Sequence, residues 1–340
     1  MALREYEPDF QISNKDIEDL NQKSQEYAQK LSSVLEESQK VIVGQQNVIR
    51  KILISVIANG HVLLESVPGL AKTLMVKTMA NIFNVEDVRI QFTPDLLPAD
   101  ILGTKIYKNV SGNFVTQKGP IFHNFVLADE INRAPPKVQS ALLEAMQERQ
   151  VSIHGDTFKL PKPFLVLATQ NPIENEGTYK LPEAQVDRFA LKILIGYPSK
   201  DEEVSIIERN SNGYEESVKS LIKPEEIIEI QKFNENIYAD KVITEYIADI
   251  VNATRNPKEY ELDLASMIEF GASPRASIWL MRAAKANALL NGRGFVIPED
   301  VKEVAHEVLR HRVILTFEAE ANGINTDKII DFVLEKITTP

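Results

Sequence analysis

The stretch "LLESVPGLAKTLMVKTMA" (residues 63–80) passes from a short apolar run through a turn into a segment with helical spacing. Its second half fits the end of the phosphate-binding loop pattern G-x-x-x-x-G-K-[ST], with Lys72 and Thr73 as the last two residues. Ser66 and Ala71 stand at the two positions where that pattern has glycine. The stretch therefore predicts a strand, a phosphate-binding loop and a helix, with two departures from the pattern.

Such a loop binds phosphates through backbone N–H groups and the N-terminus of the following helix. We expect Lys72 to contact the β- and γ-phosphates of a nucleotide and Thr73 to bind Mg²⁺. The alternative is an ordinary strand–turn–helix unit in which Lys72 is solvated. The candidate nucleotide-binding residues of the loop are Val67, Pro68, Gly69, Leu70, Ala71, Lys72, Thr73 and Leu74.

The two departures differ in their expected effect. Ala71 directly precedes the helix, where we expect a nearly helical φ that a methyl group tolerates. If Ser66 needs a positive φ, a residue other than glycine adds strain of about 1–2 kcal/mol. Ser66 is therefore the departure that we expect to weaken the loop.

Two more apolar runs end in polar groups that nucleotide hydrolysis requires. "NFVLADE" (124–130) ends in Asp129 and Glu130, and "FLVLATQN" (164–171) ends in Asn171. In open α/β sheets, ligands bind outside the carboxyl ends of the strands. We expect Asp129 to hold Mg²⁺, Glu130 to polarise the attacking water, and Asn171 to orient that water or to sense the γ-phosphate. Each feature alone could be a solvated strand end, but the three together predict binding and hydrolysis of ATP or GTP.

Arg188, in "AQVDRFALKI", has two interpretations. It could form a surface ion pair with Asp187 or Glu183, which would contribute little. It could also be an arginine finger that reaches the active site of a neighbouring subunit, where such residues contribute about 10³–10⁵ in rate. The second interpretation requires an oligomer.

Arg275, in "GASPRASIWL", is placed against the local electrostatics. Ser273 is the expected N-cap and Pro274 the first helical residue. Arg275 then lies in the first turn, where the helix dipole disfavours a cation by about 0.3–1 kcal/mol. A solvated side chain is one explanation, and a lid arginine that reaches back to the γ-phosphate is the other.

The order of the predicted elements indicates an α/β fold. Strands alternate with helices up to about residue 198, which predicts a parallel sheet with helices on both faces. Helical periodicity dominates from about Asp201, which predicts a smaller all-α domain. We place the boundary near residues 197–199. The expected divisions are an N-terminal helical segment (1–40), a nucleotide-binding core (41–198) and a helical domain (199–340), with β-hairpins at 106–122 and 151–160 and helices at 11–40, 45–59 and 135–150.

Composition narrows the functional classes. The 340-residue chain carries a net charge of −11, which argues against non-specific nucleic-acid binding. It has no cysteine, so disulfides and thiolate metal sites are excluded, and its five histidines show no metal-ligand spacing. The N-terminal stretch has no apolar signal core, and no run approaches the roughly 18 apolar residues of a membrane span. We therefore expect a cytoplasmic protein with no membrane segment.

Several segments together resemble the MoxR-type AAA+ ATPases. The resemblance covers the chain from about Val41 to near Leu315, and its central segments recur in that family nearly verbatim. The segments are "VIVGQ" (41–45), "SVPGLAKT" (66–73), "LADEINRAPPKVQSALLEAMQERQVS" (127–152), "LATQNPIENEGTYKLPEAQVDRF" (167–189) and "SPRASIWLMRAAKANALLNGR" (273–293).

This resemblance implies an AAA+ P-loop core, with the two hairpins as its inserts, followed by a helical lid, and it implies ATP and Mg²⁺ as ligands. The implied roles are adenine contact for Val43, Gly44 and Gln45, Walker A for Lys72 and Thr73, Walker B for Asp129 and Glu130, sensor 1 for Asn171, arginine finger for Arg188 and sensor 2 for Arg275. The family usually has glycine at position 66 and alanine at position 71, so only Ser66 departs from it.

The family also implies partners. Its members form rings, commonly hexamers, and act as chaperone-like remodellers, often with von Willebrand factor A-domain proteins. Our leading hypothesis is therefore an ATP-driven remodelling enzyme. The alternatives are a nucleotide-gated scaffold with little turnover, a chelatase-type AAA+ subunit, and a nucleic-acid-linked motor, which the acidic charge disfavours.

Overall fold

The computed structural model describes residues 14–109, 112–172, 177–211 and 217–340. The strands are β1 Val62–Ser66, β2 Asp87–Gln91, β3 Gly103–Lys108, β4 Asn113–Lys118, β5 Phe125–Asp129, β6 Gln150–Ile153, β7 Asp156–Lys159, β8 Leu165–Gln170, β9 Leu191–Ile195, β10 Ile268–Phe270 and β11 Ile314–Leu315. The helices are α1 Asn14–Gln39, α2 Gln46–Ile57, α3 Lys72–Ile82, α4 Pro98–Leu102, α5 Pro136–Glu148, α6 Glu183–Val186, α7 Lys200–Ser211, α8 Pro224–Glu235, α9 Lys241–Arg255, α10 Pro274–Leu290, α11 Pro298–Leu309, α12 Phe317–Ala321 and α13 Thr326–Lys336.

A five-stranded sheet in the order β2-β5-β8-β1-β9 forms the centre of the molecule. Neighbouring strands in this sheet are all parallel, as the alternation of strands and helices predicts. β1 lies between β8 and β9, so the order of the strands reverses beside it. Open α/β sheets bind their ligands at such a reversal, outside the carboxyl ends of the strands.

The central strands are buried on both faces, which explains their nearly continuous apolar sequences. In β5, Phe125 and Leu127 pack into one hydrophobic cluster, whereas Val126 and Ala128 pack into another on the opposite face. Side chains alternate between the faces along each strand. The predicted sheet with helices on both faces is therefore confirmed.

The N-terminal helix and the lid share one of these clusters with the sheet. Leu31 and Val34 of α1 lie in the same cluster as Leu64 of β1 and Leu280 of α10. The Gly294 N–H also donates to Asn21 Oδ1 at 2.6 Å, which joins α1 to the loop after α10. The division of the chain at residues 41 and 199 stays a prediction, but the helical parts pack on the core through a common interior.

Both predicted hairpins are present, although their limits differ from the prediction. β3 pairs with β4 over residues 103–108 and 113–118, and Pro120–Phe122 forms a 3₁₀ turn rather than part of a strand. The predicted turn residue Ser111 lies outside the described residues. In the second hairpin Asp156 pairs with Ile153, so His154 and Gly155 make the turn. Both have positive φ, of 48° and 91°, which such tight turns need.

Among the described residues of the lid, the helices are accompanied by one short strand pair that the sequence did not predict. β10 pairs with β11 in antiparallel fashion. Residues 314–315 are too few for any alternation to show in the sequence. The description of the lid as all-α therefore needs this correction.

Two buried histidines make the stability of the fold depend on pH. The Val166 N–H donates to His61 Nδ1 at 3.0 Å, so Nε2 carries the proton and lies 3.1 Å from the Met146 carbonyl oxygen. Burial lowers the pKa of His61 to about 3 and the pKa of His311 well below its usual value. Both side chains are therefore neutral in the folded chain at neutral pH.

We expect the free energy of unfolding to fall as the pH drops below about 6.5. The unfolded chain then binds protons that the folded chain does not, and His61 alone lowers stability by about 1.4 kcal/mol for each pH unit between 6.5 and 3. Urea unfolding at pH 7.5, 6.5 and 5.5 measures this slope. His61→Asn should flatten it, whereas the exposed His154→Gln should leave it unchanged. An equal slope in the His61 variant would contradict the assignment.

Candidate active site

The loop between β1 and α3 has the backbone geometry of an anion-binding turn. Gly69 has a φ of 85°, and a Cβ at this position would meet no heavy atom within 4 Å. Ala71 has a φ of 54° and precedes Lys72, the first residue of α3. The loop therefore presents an open backbone at the N-terminus of a helix, where N–H groups bind anions.

The expected strain lies at Ala71 and not at Ser66. Ser66 is the last residue of β1, is 3% exposed and has no positive φ. Its hydroxyl donates to the Val67 carbonyl oxygen at 3.1 Å. Ala71, by contrast, adopts the left-handed conformation that disfavours a side chain. Our expectation of a nearly helical φ at Ala71 was therefore wrong, and the condition for strain at Ser66, a positive φ, is not met.

Matched glycine substitutions test this reversal. Ala71→Gly should raise the free energy of unfolding by up to about 1 kcal/mol, because it removes left-handed strain. Ser66→Gly should lower it by about 0.5–1 kcal/mol, because glycine weakens a strand. Urea unfolding of the two variants measures both effects. Stabilisation by Ser66→Gly would contradict the extended conformation at that residue.

Three strand ends bring the remaining predicted groups beside the loop. Glu65 of β1 pairs with Gln170 of β8, and Ala128 of β5 pairs with Ala168 of β8. The loop, the Asp129–Glu130 pair and Asn171 therefore follow adjacent parallel strands at the same edge of the sheet. The sequence predicted this convergence. We call this edge of the sheet, with the loop, Asp129, Glu130 and Asn171, the carboxyl edge.

Asp129 is fixed by partners on both sides of its carboxylate. Thr169 Oγ1 donates to Oδ1 at 2.6 Å, and Arg89 donates to Oδ2 from Nη2 at 2.6 Å and from Nε at 3.0 Å. Asp129 is 7% exposed, so this carboxylate is buried at the carboxyl edge. The sequence indicates neither partner, because Thr169 lies within the apolar run 164–171 and Arg89 lies outside the quoted motifs.

Glu130 lies next to Asp129 and is also held. Its backbone has a φ of 56°, and its N–H donates to Thr169 Oγ1 at 2.8 Å. Gln91 Nε2 donates to Glu130 Oε2 at 2.8 Å, and Arg133 Nε lies 3.1 Å from the same oxygen. The Thr169 hydroxyl therefore orients both residues, because it donates its proton to the Asp129 carboxylate and accepts the Glu130 N–H on a lone pair.

The segment predicted to contact adenine approaches the chain that follows β9. Gly44 and Gln45 have φ values of 67° and 55°, and Gln45 Nε2 donates to the Gly196 carbonyl oxygen at 2.9 Å. The positive φ of Gly44 favours glycine, and a Cβ there would require the Glu202 side chain to move, because its carboxylate oxygen lies 2.5 Å away. Val43, which precedes this turn, is half-buried.

A cavity of about 360 Å³ lies between α1 and α2 beside Gly44. Leu35, Ile42 and Arg50 are among its lining residues, and the described loop residues 67–74 are not. This cavity therefore does not coincide with the phosphate loop.

The two predicted arginines lie at the opposite end of the sheet. The Ala190 N–H donates to the His61 carbonyl oxygen, and these two residues lie just before β9 and β1 begin. Arg312 donates to the carbonyl oxygens of both Asp187 and Ala190, so residues 187–190 lie at this end of the sheet. A five-residue strand rises about 16 Å, which is longer than an arginine side chain. The structure therefore does not bring Arg188 or Arg275 to the loop of its own chain.

Asp187 connects this group to the lid. It accepts from Arg312 Nε at 2.7 Å and from Ser273 Oγ at 2.9 Å, and Arg275 Nη1 lies 3.4 Å from it. Burial lowers the pKa of Arg312 to about 10, and the Asp187 carboxylate opposes that shift. The Ser273 cap on α10 is present as predicted. The possible ion pair between Arg188 and Asp187 is absent among the described residues, and the Asp187 carboxylate contacts these other partners instead.

The strand order and the carboxyl edge define an AAA+ type of P-loop core with a helical lid. Residues 61–191 match the family model "ATPase family associated with various cellular activities (AAA)", and residues 261–332 match the AAA lid domain. Within the described residues, no helix combines the length and apolar character that crossing a membrane requires.

Individual relatives show to which family of AAA+ proteins the chain belongs. The chain is 49% identical over 311 residues to Chaperone MoxR1 of Mycobacterium tuberculosis, covering 91% of this chain and 82% of that protein. It is 44% identical to the uncharacterised protein YeaC of Bacillus subtilis, covering 91% and 95%. A crystal structure from Cytophaga hutchinsonii, provisionally assigned as an ATPase, superposes with a TM-score of 0.90 at 50% identity, covering 96% and 99%. The chain belongs to the MoxR family of AAA+ ATPases.

Proposed function

We propose that the protein binds and hydrolyses ATP with Mg²⁺ and uses the reaction to remodel protein partners. The observation that carries this proposal is the convergence of the phosphate loop, Asp129, Glu130 and Asn171 on one edge of the sheet. Lys72 would bind the β- and γ-phosphates, and Asn171 would orient the attacking water. Glu130 would accept a proton from that water.

The residues present fit a magnesium ion. Thr73 is exposed at the start of α3, and Asp129 offers carboxylate oxygen at the end of β5. Hydroxyl and carboxylate oxygens together with substrate phosphates are the ligands that Mg²⁺ takes in such sites. When bound, the ion would neutralise negative charge on the phosphates.

The position of the two arginines supports action between subunits. Arg188 and Arg275 lie away from the loop of their own chain, at the end of the sheet where β9 begins. Together these positions suit a ring in which each chain offers both arginines to its neighbour's nucleotide. We propose a ring, a hexamer in keeping with the family, working in the cytoplasm and independently of nucleic acid.

The client is proposed to be a protein. The relative that is 49% identical is named a chaperone, which supports a remodelling role. The resemblance to the MoxR family further suggests a von Willebrand factor A-domain protein as the client.

A nucleotide-gated scaffold with little turnover is the second candidate. Gln91 and Arg133 both contact the Glu130 carboxylate, and these contacts compete with any water at that oxygen. If the contacts persist with nucleotide bound, the protein would bind ATP and assemble but turn over slowly.

Steady-state ATP hydrolysis, measured with Mg²⁺ over a range of protein concentrations, distinguishes the two candidates. Turnover per chain that rises with concentration, together with light scattering that shows an oligomer, supports the ring enzyme. Binding of ATP without turnover favours the scaffold. Absence of nucleotide binding would overturn both.

A further inference from the structure

A chain of side-chain hydrogen bonds joins the two carboxylates of the carboxyl edge. Arg89 donates to Asp129 Oδ2 through Nε and Nη2, and Nη2 also donates to Gln91 Oε1 at 2.6 Å. Gln91 in turn donates from Nε2 to Glu130 Oε2 at 2.8 Å. We call Asp129, Arg89, Gln91 and Glu130 the β2 relay.

The strand register produces this relay. Gln91 of β2 pairs with Asp129 of β5, and residues 89 and 91 project from the same face of their strand. Two side chains of β2 therefore meet two consecutive carboxylates at the end of the neighbouring strand. Arg89, Gln91 and Asp129 all lie in regular β-strands, so the relay needs no irregular backbone except at Glu130.

The two sides of the Asp129 carboxylate differ in how easily they can change. Oδ1 accepts from Thr169, which is fully buried, whereas Oδ2 accepts from Arg89, whose side chain is 51% exposed. The Arg89 guanidinium can therefore move into solvent without exposing the core. Arg89 reaches this buried carboxylate from the solvent side, so a divalent cation that approaches from solvent can compete with it for Oδ2.

We propose that Arg89 is a positioning residue that links metal binding at Asp129 to the orientation of Glu130. This inference rests on the proposed ATPase function. A cation at Asp129 competes with the Arg89 guanidinium, since both carry positive charge and both approach the same carboxylate. Displacement of Arg89 removes the partner of Gln91 Oε1, which loosens the Gln91 amide and with it the contact to Glu130.

Binding of a fluorescent ATP analogue as a function of Mg²⁺ concentration tests the first half of the link. Arg89→Gln should lower the half-saturating Mg²⁺ concentration by about three- to tenfold, because it removes the competing charge. Arg89→Lys, which keeps the charge, should stay close to wild type. Lys336→Gln removes an exposed cation whose partner is Glu261, remote in sequence from the edge, and should have no effect.

A double-mutant cycle on the half-saturating Mg²⁺ concentration for ATP turnover tests the second half, because Arg89 is already displaced from Asp129 once Mg²⁺ saturates the site. If Arg89 acts on Glu130 through Gln91, the effect of Gln91→Leu should be smaller in the Arg89→Gln background than in the wild type. Additive effects would overturn the link to Glu130. Thermal unfolding of each variant shows whether it is folded.

The outcomes separate this inference from the function on which it rests. If the wild type binds the analogue in an Mg²⁺-dependent way but Arg89→Gln has an unchanged or higher half-saturation, the ion pair is purely structural and the inference fails alone. If the wild type shows no Mg²⁺-dependent nucleotide binding, the proposed function fails and the inference falls with it.

Discussion

Glu130→Gln is expected to lower the turnover of ATP by about 10²–10⁴ while nucleotide binding is retained. The amide has nearly the shape of the carboxylate, so the hydrogen bond from the Glu130 N–H to Thr169 should persist. The variant loses the group that would accept a proton from water, together with the ion pair between Glu130 and Arg133. Steady-state hydrolysis and equilibrium binding of a fluorescent analogue, measured on the same preparation, separate the two effects.

Glu335→Gln on α13 is the matched control, because it makes the same chemical change at an exposed residue of the lid. Its turnover should equal that of the wild type. Unchanged turnover in Glu130→Gln would exclude Glu130 as the base. Loss of binding in that variant would show that the residue acts on the nucleotide itself.

Arg188→Ala is expected to lower turnover by about 10³–10⁵ if the side chain acts as an arginine finger. Arg188 precedes the amino end of β9, a strand length from the loop of its own chain. A neighbouring chain is then the only nucleotide site that it could serve. Arg188→Lys should also be defective, because lysine keeps the charge but lacks the planar fork of donors.

Mixed assemblies test where the finger acts. Chains carrying Lys72→Ala are expected to be inactive by themselves but to supply Arg188 to Arg188→Ala neighbours, so the mixture should recover part of the activity. Chains carrying both Lys72→Ala and Arg188→Ala are the control and should restore nothing. Equal activity in the two mixtures, once native mass spectrometry shows mixed oligomers, would contradict a finger acting between chains.

The sequence predicted the groups that follow the strands but not the side chains that hold them. Asp129, Glu130 and Asn171 could be found because each ends an apolar run, and parallel strands place their ends together. Arg89 and Gln91 lie inside a strand, where an alternating polar residue is ordinary. Their role depends on the pairing of β2 with β5, and the pairing of strands is not encoded locally.

Backbone conformation shows the same limit. The glycine pattern correctly located the loop, yet it misassigned the residue under strain, because Ala71 holds the positive φ and Ser66 is extended. The arginines show a related limit. The spacing of Arg275 from its N-cap predicted a functional residue, but only the fold shows that Asp187 and not the loop of the same chain is its neighbour.

The interior that α1, the sheet and the lid have in common restricts how a nucleotide could move this molecule. Leu280 of α10 and Val304 of α11 are fully buried in it, and fully burying such a side chain contributes about 1.5–3 kcal/mol. A lid that swung open within one chain would lose many of these contributions together. We therefore expect the core and lid of one chain to move together as a rigid body. In an oligomer, the conformational change driven by ATP would then occur at the interfaces between neighbouring chains.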